Sequence, residues 1–287
     1  MNKKHISNAV VLVLFIFCVF LLLKSDKTIP QEIKIPEIVP EVLKPEIKPI
    51  SYLSVVLDSE NPKEQLNSLV EDKNLDAVLS LNRIDKNHIK KDMTLVYPDR
   101  YDDLFSLSSF PRSIEELKAV PKMMIISQEI QEFGAYEYGK LVRFGGLSSG
   151  KKSTPTKNGL FHANWKGKEV VSTSNDEWIL KWNVNIDNFD GIGIHEYELP
   201  GYPASHSCVR LSSSDARWFY DWVEQWKLSK EDKIISQGAP VLIFGQYDYE
   251  DTAPWKLLVE DPYTMTLSEE DISKELTKYN FDLTLSE

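Results

Sequence analysis

The residues with most to offer chemically lie in one stretch of this 287-residue chain, GIHEYELPGYPASHSCVRL, Gly193 to Leu211. It holds His195 and His206, two of five histidines, and Cys208, the only cysteine outside an N-terminal apolar run. Arg210 follows two residues later. A thiol becomes a nucleophile near neutral pH when a base or a positive charge stands beside it. Both kinds of neighbour are present in this stretch. Acyl transfer by a thiol needs a nucleophile, a base, donors for the tetrahedral oxyanion and a grip on the acyl donor. Cys208 is the candidate nucleophile and the histidines are the candidate bases. The backbone N–H groups of Ser207 and Cys208 are candidate oxyanion donors. Arg210 carries a fixed positive charge, suited to gripping a loop or substrate carboxylate bidentately. Ser205 is expected to shape the local turn, and Tyr202 to line the cleft. The competing chemistry is a zinc site built from His195, His206 and Cys208. It lacks a fourth ligand at a familiar spacing, and H-x-C is an uncommon zinc pair, so no metal or cofactor is expected.

The stretch resembles the signature of the L,D-transpeptidase catalytic domain: a histidine, a gap, then S/T-H-G-C followed closely by Arg or Asn. This chain has His195, a gap, then Ser205-His206-Ser207-Cys208-Val209-Arg210. STPTKNGLF, Ser153 to Phe161, resembles the family's P-T-x-x-G-x-F segment. MMIISQEIQEFGAYEYGKLVRFGGLSSG resembles its opening, a strand, a turn and two more strands. The likeness runs from about Pro121 to Gly245. It implies that Cys208 attacks the L-to-D peptide bond of a peptidoglycan tetrapeptide stem and holds the stem as a thioester. It also implies that His195 is the acid/base group and that His206 positions groups or supports the oxyanion. Two positions depart from the pattern. Ser207 stands where the family has Gly, and Glu196 where a small residue is usual. If position 207 needs a positive φ, a serine there is strained. Glu196 is expected either to salt-bridge the loop or to bias His195.

The formal net charge is −11, which argues against a nucleic-acid partner, since phosphate binding wants a basic face. Ala9 to Leu23 is an uninterrupted apolar run. Counted from Ile6 it gives about 27 Å of helix, enough to span a bilayer. Lys3 and Lys4 precede it and no small-x-small cleavage site follows. A retained anchor is therefore expected, with the rest of the chain in the periplasm or outside the cell. In such a compartment a lone thiol, Cys208, is better explained by chemistry than by structure.

The expected organisation is a cytoplasmic tail (1–5), a transmembrane anchor (6–23) and a Pro-rich linker (24–50). A small αβ module (51–98) follows, then a connector (99–120), the catalytic domain (121–246) and an acidic C-terminal extension (247–287). Prolines at 30, 36, 40, 45 and 49 forbid long helix in the linker. In the small module, NPKEQLNSLVEDK reads as one helix, and DAVLSLNRIDKNHIKKDMTLVYP as helix, turn and strand. Leu79, Asn82, Ile89, Leu95 and Pro98 resemble a LysM peptidoglycan-binding module. Ser113 and Glu116 predict a capping box and a short helix in the connector. The catalytic region reads as short strands, among them KMMIIS, KLVRF, EWILKW and VLIFG. A helix over Ser212–Trp226 is expected to turn Trp218, Trp222 and Trp226 into the core. The extension is expected to add a strand and a helix from Ser268. The fold class that follows is β-rich α+β: an L,D-transpeptidase-like β-sandwich with a helix after the Cys motif, preceded by the LysM-like module.

The expected partners are peptidoglycan stem peptides, a wall-attached protein as an alternative acceptor, and the membrane through the anchor. If water replaces the amine acceptor, the same residues make an L,D-carboxypeptidase or hydrolase. An alternative of another class is a wall-binding protein with a retired site, which Ser207 and Glu196 would favour.

Overall fold

The computed structural model describes residues 50–172, 175–279 and 281. The expected anchor and all but the last residue of the expected linker lie outside the described residues. Strands β1 (Tyr52–Leu57) and β2 (Met93–Pro98) pair antiparallel, Tyr52 opposite Pro98 and Leu57 opposite Met93. Between them run α1 (Pro62–Leu69) and α2 (Asp72–Leu81). The Asn61-Pro62 start holds: Asn61 Oδ1 accepts the Glu64 N–H at 3.3 Å, and Pro62 lacks the N–H that would be left over there. The single helix expected through Lys73 breaks at Val70, which turns extended and buries its side chain among Leu57, Leu66, Leu75 and Val78. Asn82 ends α2 and ties it to β2. Its amide donates to Val78 O and Val96 O at 2.8 and 2.7 Å, and its oxygen accepts the Val96 N–H at 2.9 Å.

This βααβ segment is not a free-standing module. Tyr52, Leu81 and Val96 share a buried cluster with Ile130 of the catalytic region and Trp255, Leu258 and Met265 of the extension. Arg83 is 1 % exposed and sits at that junction. It donates to Ile130 O, pairs with Glu132 at 2.9 Å and lies against the Trp255 ring.

The connector corrects the capping-box expectation. Only a 3-10 turn forms, Glu115–Leu117, with Ile114 in the cap position. Ser113 bridges to Lys140, and the Ile114 N–H donates to Gly139 O at 2.8 Å. Burial of Ile114 and Leu117 pins the backbone before a helix can propagate.

The catalytic region begins with β3 (Met123–Ser127), β4 (Glu132–Glu137), β5 (Lys140–Ser148) and β6 (Gly159–His162). Next come β7 (Trp165–Val171), β8 (Ile179–Asp187), β9 (Ile192–Glu196) and β10 (Val209–Leu211). Helix α3 (Ser213–Trp222), the short ribbon β11 (Lys227–Leu228) and β12 (Ile234–Ser236), and β13 (Pro240–Phe244) complete it. One nine-stranded sheet runs β6-β13-β3-β4-β5-β10-β9-β8-β7. Its edge strands β6 and β7 are separated by only Ala163 and Asn164. A flat sheet of this size would hold its edges about 38 Å apart. The sheet therefore curls onto itself, and Asn164 N–H donates to Asn185 O at 2.8 Å where its ends meet. The sandwich is one folded-over sheet, with Met124, Phe133, Val184, Ile194, Leu211 and Val241 buried between its halves.

Helix α3 covers this core. Ser212 caps it, accepting the Asp215 N–H at 3.1 Å, and Ala216, Phe219 and Val223 follow the helical period inward. The helix stops four residues before Trp226, whose N–H instead donates to Ala163 O. Trp218 and Trp222 are only half-buried and stack on each other, centroids 5.0 Å apart. The aromatic stripe flanks the core instead of filling it.

The acidic extension does not hang free. It forms a 3-10 turn, Pro254–Val259, and the final helix α4 (Glu269–Lys278). The Ser268–Asp271 capping box starts α4, and Ile272 and Leu276 bury against Phe110, Ile114 and Leu242. No strand occurs among its described residues, which corrects the expectation of one.

Candidate active site

Strand β10 is only three residues long, yet it sets the site. It pairs parallel with β9, Arg210 opposite His195, and antiparallel with β5, Arg210 opposite Ser148. Side chains two apart on a strand share a face. Cys208, just before β10, therefore shares a face with Arg210, and Gly193 with His195. The sulfur lies over Gly193, whose N–H reaches it at 3.4 Å, and it donates to Gly191 O at 3.8 Å. Gly193 puts no side chain beneath the sulfur, and Asn183 Oδ1 occupies the space a Cβ would enter.

His195 is 3 % exposed. Its Nδ1 stands 2.9 Å from Glu196 O. A carbonyl can only accept, so Nδ1 carries the proton and Nε2 keeps a free lone pair. It is thus the backbone of residue 196, not its carboxylate, that biases the histidine. Burial drives the His195 pKa down to about 4; the Glu196 hydrogen bond opposes this and the Arg210 charge adds to it. Burial also raises the Cys208 thiol above its ordinary value, against smaller lowering effects of the Gly193 N–H and Arg210. The resting pair is therefore thiol and neutral imidazole. The positive neighbours that pointed to a ready thiolate do not outweigh the desolvation.

The loop bearing the thiol is strapped from beneath by the segment after β5. Ser205 is buried; its N–H donates to Ser149 O and its hydroxyl to Cys208 O. Ser205 O in turn accepts the Lys151 N–H at 3.0 Å and the Thr154 hydroxyl at 3.1 Å, and Thr156 Oγ1 reaches Cys208 O at 3.4 Å. Gly150 is required in this strap, because a Cβ there would collide with Thr154 O. Ser205 forms an isolated parallel bridge with Gly150. Ser207 has φ 78°, the left-handed region that favours glycine.

Arg210 meets no carboxylate at ion-pair distance among the described residues. Its guanidinium lies 4.4 Å from the Tyr197 ring centroid, and Nη1 donates to Glu198 O at 3.4 Å. Tyr202 corrects the expectation for it. Its ring is exposed, its contribution is a carbonyl accepting from Ser148 Oγ at 2.7 Å, and it does not line the cleft. The cleft itself, about 370 Å³, is lined by His195, Ser205, His206, Ser207, Cys208 and Arg210. Tyr197, Trp165, Trp178, Asn183 and Asp190 are among the other residues of its wall. Among the described residues no three His, Cys, Asp or Glu side chains converge as metal ligands.

Three contributors escaped the sequence reading. Tyr197 lies two residues beyond His195, a spacing that could have marked it. Trp178 packs on His206, centroids 4.9 Å apart, and Lys151 Nζ stands 2.9 Å from His206 Nε2. Neither carries a local signal, since both arrive through the fold.

Comparison with known proteins bears on this region. Residues 122–243 match the YkuD family, the L,D-transpeptidase catalytic domain. L,D-transpeptidase 2 of Mycobacterium tuberculosis is 28 % identical over 103 residues, 30 % of this chain and 25 % of the relative. Among solved structures, the L,D-transpeptidase LdtMt1 in complex with imipenem is 22 % identical, with TM-score 0.36 over 43 % of this chain and 59 % of the other. An L,D-transpeptidase from Mycobacterium smegmatis is 21 % identical, with TM-score 0.35 over 44 % and 59 %. The match thus spans a quarter of the curated relative's length and about three fifths of the solved chains. The LysM-like reading of 51–98 lies outside the family match and rests on sequence pattern alone. Over residues 122–243 the chain carries an L,D-transpeptidase catalytic domain.

Proposed function

We propose that the chain is a peptidoglycan L,D-transpeptidase with Cys208 as nucleophile and His195 as general base and acid. The observation that supports it is the Cys208–His195–Arg210 face: a thiol over bare backbone, a histidine held in one tautomer with Nε2 free, and a guanidinium with no carboxylate of its own. The substrate is the tetrapeptide stem. As Sγ forms its bond to the carbonyl carbon of the L-to-D peptide bond, the thiol proton passes to His195 Nε2. The oxyanion is met by backbone N–H groups at Ser207 and Cys208. The C–N bond then breaks, His195 returns the proton to the departing D-amino acid, and a thioester remains. An amine of a second stem, or of a wall-attached protein, attacks it; His195 takes the amine's proton and returns it to the leaving sulfur. Arg210 holds a substrate carboxylate. The apolar run 6–23 anchors the chain in the cytoplasmic membrane, with the catalytic domain outside the cytoplasm.

Two measurements test this. Incubation with purified disaccharide-tetrapeptides should yield cross-linked dimers by mass analysis. Tripeptide alone would assign the carboxypeptidase activity instead, and no product a retired site. Imipenem, held by a solved relative, should add its mass to the wild type and not to Cys208→Ala. An equal adduct on both would remove Cys208 as nucleophile.

A further inference from the structure

Lys151 reaches the site from the segment after β5, its Nζ 2.9 Å from His206 Nε2. An ammonium only donates. Nε2 of His206 is therefore the acceptor, and the ring's own proton belongs on Nδ1. This contact is built from several sides. The Lys151 N–H donates to Ser205 O at 3.0 Å, fixing its backbone to the residue next to His206. The Tyr249 hydroxyl donates to Gly150 O at 3.0 Å, and Lys152 pairs with Glu250 at 2.6 Å, so the C-terminal extension braces the same turn from outside. Trp178, on the connection from β7 to β8, packs its ring against the imidazole of the exposed His206.

We propose that Lys151 is a positioning residue that holds His206 as the neutral Nδ1–H tautomer, so that the second histidine stands in the cleft as a fixed hydrogen-bond donor and not as a base. The groups facing His206 are Lys151 from the segment after β5, Arg210 from β10 and the uncharged Trp178; among the described residues no carboxylate pairs with it. Its pKa lies below the ordinary histidine value, through partial desolvation first and then the Lys151 and Arg210 charges. Protonating the ring would set a second cation against the lysine and cost the 2.9 Å hydrogen bond. His195 keeps its free Nε2 and the base role; His206 has spent its own.

The kinetic side of this inference rests on the transpeptidase reading, but the tautomer does not, because it is read on the free protein. The experiment is nitrogen-15 NMR of histidine-labelled full-length chain in detergent, with His206 assigned by His206→Gln. In the wild type, Nε2 should show the shift of an unprotonated acceptor and Nδ1 that of a protonated donor. Lys151→Met should raise the His206 titration midpoint and mix the tautomers. It should also slow imipenem acylation about tenfold, the size of a modest positioning loss. Lys151→Arg, which keeps the charge and the donor, should restore both. An Nε2–H tautomer in the wild type, or a His206 midpoint unmoved in a folded Lys151→Met, overturns the proposal. The expected spectra with no acylation of wild-type Cys208 would leave Lys151 in this role and remove the transpeptidase reading instead.

Discussion

Two cavities meet at Tyr197, and they differ in kind. The larger, about 880 Å³, lies among α2, β5, β8 and the start of α3. The smaller, about 370 Å³, holds the thiol. In the larger one most charged wall groups, Lys181, Glu196 and Glu198 excepted, are already answered: Arg83 by Glu132, Arg143 by Asp215 at 2.7 Å, Lys86 by Asp76 at 3.3 Å. Asp85 accepts the Leu199 N–H at 2.8 Å and pairs with His88. In the smaller one Arg210 has no carboxylate, and His195 Nε2 has no hydrogen-bond partner among the described residues. A polar group that has satisfied itself within the fold has little left for a ligand. Volume therefore points to one cavity and chemistry to the other, and chemistry is the better guide.

Substitutions should separate the two cavities sharply. Cys208→Ala and His195→Ala should each lower stem-peptide turnover by about a thousandfold or more, with nearly equal losses, because members of one catalytic unit do not add. Lys86→Ala, on the wall of the larger cavity, should leave turnover unchanged. A large loss from Lys86→Ala would mean that the larger cavity takes substrate. Arg83→Met should do the reverse of the Cys208 change. It strands the Glu132 carboxylate, which is 2 % exposed and otherwise held by the Ser109 N–H and hydroxyl. Removing one partner of a buried pair costs about 3–5 kcal/mol. Denaturant unfolding should show that loss, with acylation of the remaining folded protein intact.

The buried histidine gives the smaller cavity a pH signature of its own. His195 has a folded pKa of about 4, depressed from the ordinary 6.5. Between those values the unfolded chain binds the proton and the folded chain does not, so folding is weakened as pH falls. The contribution is fully present above pH 6.5 and is lost as pH drops toward 4, on the order of 3 kcal/mol in total. Unfolding free energies for wild type and His195→Gln should therefore converge or cross across that window. Parallel curves would mean that His195 is not depressed in the folded state. The acid limb of acylation should likewise sit near pH 4 and not near the ordinary histidine value.

The grouping of the candidate residues was legible in the sequence because they crowd one loop and one strand end, where order along the chain nearly equals order in space. Cys208, His195 and Arg210 share a face for that reason. What escaped came from elsewhere in the chain: Lys151 through a strap, Trp178 through a hairpin connection, Tyr249 through the extension. The strands KMMIIS and VLIFG were readable from apolar runs alone, but their closure into one folded-over sheet follows from β6 and β7 being sheet edges two residues apart. The Ser113 capping box and the helix turn at Trp226 failed because backbone pairing to Gly139 and Ala163 overrode local preference. In the acidic extension the helix from Ser268 forms as expected and the strand does not, and its docking through Ile272 and Leu276 carried no local signal.

The smallest expected effect tests the site's own departure from the family pattern. Ser207 sits at φ 78°, where an L-residue with a Cβ is strained by about 1 kcal/mol and a glycine is not. Its hydroxyl makes no hydrogen bond with another described residue to offset this. The strain falls on the peptide whose N–H groups, at Ser207 and Cys208, would meet the oxyanion, so any tilt is felt where charge develops. Ser207→Gly should therefore raise the unfolding midpoint by about 2–4 °C and the acylation rate several-fold. Both readouts are needed. A more stable variant with no change in rate would mean that the serine strains the loop without displacing the donors. A less stable and no faster variant would show that the hydroxyl contributes to the cleft, and the strain argument would then be abandoned.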